Sequence, residues 1–171
     1  SRNALCAALT LESNGQAIAI PTARFKPHRQ AKVEVHPYAR HFENAVLQGQ
    51  AAYRALRQLQ ASGFEPDLIF GHTGWGPTMY VKDVYPRAKL VCLLEWYYHA
   101  RGTDADFLDP VALTSDDVLR IRSRNAPILN DIAAMDWGVS PTAWQKSQFP
   151  QQFRNRISVI HDGIDTDLCI P

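Results

Sequence analysis

Four short apolar runs, each followed by helix-forming sequence, constrain this chain more than any other feature. They are Asp67–Phe70 (DLIF), Lys89–Leu94 (KLVCLL), Trp137–Val139 (WGV) and Ile157–Ile160 (ISVI). None alternates polar and apolar residues as a strand with one wet face does. Each therefore reads as a strand of a parallel sheet covered on both faces. Strands alternating with helices predict an α/β fold, a three-layer α/β/α Rossmann-like parallel sheet. The 171 residues fit one domain, and 46% hydrophobic content supplies one core.

The first third is less regular. Asn3–Leu11 (NALCAALTL) reads as a buried strand closed by Ser13-Asn14-Gly15, with a shorter apolar piece at Ala17–Ile20. Thr22–Gln30 is basic and contains a proline, so it is expected to be loop, and Lys32–His36 (KVEVH) to be a short strand. A long helix is predicted from Tyr38 to Ser62, with Phe42, Val46, Gly49, Tyr53, Leu56 and Leu59 on one face and Gly63 just past its end. Further on, Pro77 opens a short helix and Glu95–Pro110 is a polar loop. Thr114-Ser115-Asp116-Asp117 starts a helix whose face is Val118, Ile121, Leu129, Ile132 and Met135, kinked near Pro127. Ser140 is expected to cap a helix with Pro141 at its first position.

Composition removes several functions. Eighteen Lys and Arg against seventeen Asp and Glu give a net charge of +1, which argues against a nucleic-acid-coating protein. No apolar run reaches the roughly 20 residues a membrane-spanning helix needs. Cys6, Cys92 and Cys169 form no CxxC pair, so a disulfide scaffold or zinc ribbon is not expected and a reducing compartment is.

In open α/β sheets ligands bind beyond the carboxyl ends of the strands, where loops converge and helix amides point. The residues there are Gly71-His72, Glu95 to His99, Ser140 and His161-Asp162-Gly163. The run GHTGWG (Gly71–Gly76) has neither dinucleotide-fingerprint nor phosphate-loop spacing. Its glycines serve either a tight turn or close backbone approach to a ligand. His72 is either a ligand-facing group or a structural hydrogen-bonder. Glu95, between an apolar strand and three aromatics, is expected in a desolvated site; a structural acid fits the pattern as well. Trp96, Tyr97 and Tyr98 fit either the core or a platform for sugar rings. No HExxH or GxSxG is present, so no catalytic metal or nucleophile elbow is expected. Arg120, Arg122 and Arg124 read as solvated.

The segments FEPDLIFGHTGWGPTMYVKDVYPRAKLVCLLEWYYHARG, GVSPTAWQKSQFP and ISVIHDGIDTDLCIP, with the helix HPYARHFENAVLQGQ, resemble the N-terminal half of a GT-B glycosyltransferase. The likeness is to a bacterial subgroup of glycosyltransferase family 4 and runs from about Val33 to Pro171. It implies a single acceptor-side Rossmann-like domain over residues 1–171, with an interdomain linker starting at 163–171. The resemblance places the family's first strand before Asn3, and a donor-binding domain with a pair of glutamates after Pro171. It implies a retaining, metal-independent transferase with a nucleotide-sugar donor as substrate and no other cofactor. The acceptor would be a saccharide or a lipid-linked glycan, as in polysaccharide biosynthesis. The location would be cytoplasmic, with peripheral contact to the inner membrane face left open. This chain alone would not turn over.

By resemblance Glu95 occupies the place where many relatives carry a histidine reaching toward the transferred sugar, and is the catalytic candidate. The substrate-binding candidates are His72, Gly74, Trp75, Gly76, Tyr97, Tyr98, His99, Ser140, Asp162 and Gly163, with no metal ligand. Two alternatives stay open. One is a stand-alone flavodoxin-like module binding a small ligand without catalysis; the other is a metal-assisted hydrolase using His and Asp at strand ends.

Overall fold

A computed structural model describes residues 5–106 and 113–169. The start of the expected first strand (Asn3), part of the polar loop after residue 106 and the last two linker positions lie outside the described residues. The architecture is α/β and Rossmann-like, built of parallel strands and helices.

The main sheet has four parallel strands in sequential order: β3 (Leu68–His72), β4 (Lys89–Leu93), β5 (Trp137–Ser140) and β6 (Ile157–Val159). Its register pairs Phe70 with Val91 and His72 with Leu93, and Cys92 with Gly138. Successive strand residues point to opposite faces. One face therefore gathers Leu90, Cys92, Leu94 and Ile157, which pack with Ile128, Ile132, Met135 and Phe149 into the core. Burying each large apolar side chain contributes roughly 1.5–3 kcal/mol, which makes this layer the main source of stability. The opposite face is less covered: Leu68 and Phe70 remain 60% exposed, on a strand that pairs only with β4 among the described residues.

The helices attached to this sheet are α2 (Val81–Val84), α3 (Ser115–Ser123), α4 (Ala126–Ala134) and α5 (Ala143–Gln148). The Thr114 start has the expected chemistry: its hydroxyl accepts from the Asp117 amide while the Asp117 carboxylate accepts from the Thr114 amide, a closed capping box. Pro127 does not kink one helix but separates two, sitting in the first turn of α4, where its missing N–H is not needed. Ile128 rather than Leu129 then turns into the core. α5 is capped by Thr142, whose hydroxyl accepts from the Gln145 amide at 3.1 Å. Ser140 belongs to β5 instead of capping the helix.

The first third departs most from expectation. A separate two-stranded parallel sheet pairs β1 (Ala8–Leu11) with β2 (Thr22–Phe25), a segment expected to be loop. Only Phe25 of β2 is buried, and exposed Arg24 with the partly exposed Thr22 and Ala23 hides the strand pattern. Lys32–His36 is not a strand. The Arg40 guanidinium donates to the carbonyls of Val33 and Val35, which takes the acceptors a strand partner would use. The long helix α1 spans Arg40–Ala61, and Gly63 follows it with a φ of +91°. Its buried stripe is largely Ala45, Ala51, Ala52 and Ala55, with Phe42 exposed, because α1 is packed on two sides. Ala51, Ala52 and Ala55 meet Phe25 of β2, while other positions meet α2 and α4. Small side chains allow both approaches.

One electrostatic clip ties the strand starts. Asp136 accepts from the Leu90 amide at 2.9 Å and pairs with Lys82 at 2.6 Å and Lys89 at 3.4 Å. The Lys82 hydrogen bond, helped by the Leu90 amide, holds its pKa down at about 2. A depressed carboxylate stabilises the fold above its unfolded value of about 3.9 and stops doing so as pH falls through its folded value. The melting temperature of Asp136→Asn should therefore lie below that of the native chain at neutral pH, with the gap closing between about pH 4 and 2. A gap that stays constant across that window would show that the charge is not what the clip uses.

Candidate functional site

Because β3 and β4 are parallel neighbours in register, their carboxyl ends arrive together. His72 is the last residue of β3, and Glu95 lies two residues past its partner Leu93. Their side chains meet, His72 Nε2 to Glu95 Oε2 at 2.6 Å. The other ring nitrogen, Nδ1, lies 2.8 Å from the Thr73 carbonyl, which can only accept, so Nδ1 carries a hydrogen. Both ring nitrogens are occupied, whereas Oε1 of Glu95 has no partner among the described residues and the side chain is 45% exposed. The expected apolar desolvation of Glu95 is replaced by a pairing with His72. The free oxygen can accept a hydrogen bond from a ligand hydroxyl.

This pair opens into a pocket of about 110 Å³ whose wall includes Gly74, Trp75, Trp96 and Tyr98. His41 from the start of α1 and Ile128 from α4 complete it. Burial, with the Arg124 charge adding to it, lowers the His41 pKa, so its imidazole is neutral at neutral pH. Trp75 presents an indole that is 53% exposed. Behind the turn lies Asp131, fully buried on α4, which accepts from the Gly74 amide at 2.8 Å. Its burial raises its pKa to about 6, against the pull of that amide. Cys92, beneath the pocket, is pushed up to about 12 by burial and is an inert core thiol.

The glycines of the GHTGWG turn differ in what they approach. Gly74 has φ +87° and lines the pocket, whereas Gly76, at φ +104°, packs its bare Cα against the Ala45 carbonyl of α1. Gly76 is thus a close-approach residue. Other candidates lie away from the pocket. Tyr97 packs on Phe149, with ring centroids 5.5 Å apart, and His99 Nε2 contacts the Gln148 carbonyl at 2.8 Å. Ser140 is fully buried and donates to the Leu94 carbonyl at 2.8 Å, joining β5 to the end of β4. Asp162 and Gly163 are exposed beyond β6. Among the described residues no group of three or more His, Cys, Asp or Glu side chains converges on one point. His41, Thr73 and Ile128 of the pocket wall, and Asp131 behind it, were not expected, since no local pattern marks them.

The sequence matches the family described as "Glycosyl transferase family 4 group" over residues 2–169. The chain belongs to that family. Comparison with curated proteins gives no match. For a glycosyl transferase family 4 domain, a pocket at the carboxyl ends of parallel strands agrees with the general rule for open α/β sheets. Family membership makes the chain part of a transferase that handles a sugar donor and an acceptor in general terms. No helix among the described residues of this family 4 domain is long and apolar enough to cross a membrane.

Proposed function

We propose that this domain forms the acceptor side of a retaining glycosyltransferase, which moves a sugar from a nucleotide-sugar donor to a saccharide or lipid-linked glycan. The observation that carries the reading is the His72–Glu95 pair at 2.6 Å, set in a pocket walled by Trp75, Trp96 and Tyr98. Aromatic faces suit the apolar faces of sugar rings. The free oxygen of Glu95 suits a hydroxyl donor, and His72 holds the other oxygen of this pocket-lining carboxylate. Binding the acceptor in one orientation lowers the entropic part of the barrier before any bond changes. Glu95 then orients the acceptor or favours positive charge developing on the sugar.

Among the described residues no Lys or Arg lines the pocket itself, so in this reading the charge of a departing diphosphate is met mainly from elsewhere. A second, donor-binding unit would supply those cations and amides, with the nucleotide sugar as a substrate and no further cofactor or metal. Residues 163–171 would then lead toward that unit. A cytoplasmic setting, with peripheral contact to the inner membrane face where the acceptor is lipid-linked, follows from the same reading.

Incubating the 171-residue chain with a panel of nucleotide sugars tests the division of labour. No sustained nucleotide release is expected. Sustained turnover by this chain alone would overturn the acceptor-side reading and place donor chemistry within these residues.

A further inference from the structure

We infer that the acceptor carries an oxyanion, a carboxylate or a phosphoryl group, and that Arg124 reads it beside the His72–Glu95 pocket. The inference rests on the acceptor reading above and narrows it to a chemical class. Of the three arginines spaced along α3 and its end, Arg120 is committed to Asp117, with Nη2 and Oδ1 2.9 Å apart. Arg124 is arranged differently. Its guanidinium carbon lies 4.6 Å from the centre of the Tyr98 ring, and Tyr98 lines the pocket. No carboxylate pairs with it among the described residues.

The next residue fixes this arrangement. Asn125 is 4% exposed, and its side-chain amide clasps the backbone of Tyr98 from both sides. The Tyr98 amide donates to Asn125 Oδ1 at 2.8 Å, and Asn125 Nδ2 donates to the Tyr98 carbonyl at 2.8 Å. The junction between α3 and α4 is thereby locked to the aromatic loop, and Arg124 is carried onto the ring that it covers. The Arg124 guanidinium, 4.6 Å from that ring centre, gives none of its N–H groups to a side chain or carbonyl among the described residues, and its planar fork matches two oxygens of a carboxylate or phosphate. An exposed arginine serving only solubility needs neither the stacking nor the clasp. Burial first, and the Arg124 charge after it, lower the pKa of His41, a residue of the pocket wall. Charge-assisted forks of this kind are roughly twice as strong as neutral hydrogen bonds, so the class of acceptor is selected by charge as well as shape.

The same oxyanion could belong to an acidic or phosphorylated sugar, or to the phosphate of a lipid anchor. Tryptophan fluorescence of the full chain, with Trp75 and Trp96 in the pocket wall, follows both arms of the test. In the first arm glucose, glucuronate and glucose 6-phosphate are titrated at fixed ionic strength. In the second the titrants are phosphatidylcholine vesicles with and without phosphatidylglycerol. The native chain should bind the anionic sugars, or the anionic vesicles, about tenfold or more tightly than the neutral probe. Arg124→Gln should erase that preference while leaving glucose binding in place. Arg124→Lys should restore only part of it, since an ammonium is a point charge without the fork. A preference that survives Arg124→Gln in both arms, or no preference in the native chain, would overturn the inference. A preference unchanged by Arg124→Gln while Glu95→Gln still weakens all sugars alike would sink the inference and spare the acceptor reading. No binding of any sugar or vesicle would remove both.

Discussion

Replacing Glu95 by glutamine should keep the fold and lower the catalytic constant of the transferase about 10²-fold or more, the scale of one lost catalytic contact. The side chain is 45% exposed and contributes no apolar packing that glutamine would forfeit. What changes is the charge and the character of the oxygen facing the pocket. Glutamine carries no charge and keeps one carbonyl oxygen, so both the contact to His72 and the anionic character of the pocket are altered. Its amide donates where the carboxylate accepts. Turnover and thermal stability must be measured on the same variant. A large kinetic loss with a melting temperature shifted by no more than a few degrees is the expected result. A shifted melting temperature with unchanged turnover would make Glu95 a structural partner of His72 and nothing more.

Gly76→Ala should be the most destabilising single methyl that the pocket turn can receive. At φ +104° the backbone is one that L side chains rarely adopt, and a Cβ there would fall inside the Ala45 carbonyl of α1. The conformational part costs about 1–2 kcal/mol and the forced separation of turn and helix about 1–3 more. For a domain of this size the sum corresponds to a fall in melting temperature of roughly 10 °C. The pocket should suffer with the fold, because Trp75 and His72 ride on the same turn. Gly63→Ala is the matching control. It has a similar positive φ of +91° but nothing near its missing Cβ, so it should show the conformational cost alone. Equal losses at the two glycines would mean that the close approach to α1 carries no weight.

Much of this architecture is legible in the residues, for reasons that can be named. The β3–β6 strands are short apolar runs bounded by turn residues, and the Thr114–Asp117 box states its helix start in side-chain chemistry. The β2 strand is not legible, since three of its four residues stay at least partly exposed and its pattern is that of a loop. The stripe on α1 is legible in part: Gly49 and Leu56 of the expected face are buried, while the alanines that fill the rest of a helix packed on two sides carry too weak an apolar signal to mark it. At the site, strand-end logic points to the neighbourhood of His72 and Glu95, where the pocket lies, but treats every strand end alike. The pocket wall draws on the ends of β3 and β4, while the end of β5 is closed by the bond from Ser140 to the Leu94 carbonyl. Asp131 and His41 reach the region from helices, and Asn125 from the junction between two, all far away in sequence. Their roles depend on register and crossing geometry, which no local window contains.

The central claim, that the His72–Glu95 pocket receives the acceptor sugar, is tested most directly by mapping where a sugar lands. In amide and indole NMR spectra of the chain titrated with glucose, glucuronate and glucose 6-phosphate, shifts should concentrate at Gly74, Trp75, Trp96 and Tyr98. The amides of Ser140, Asp162 and Gly163 should stay in place. Shifts centred on residues 161–163, or the absence of any localised change with every sugar, would contradict the account.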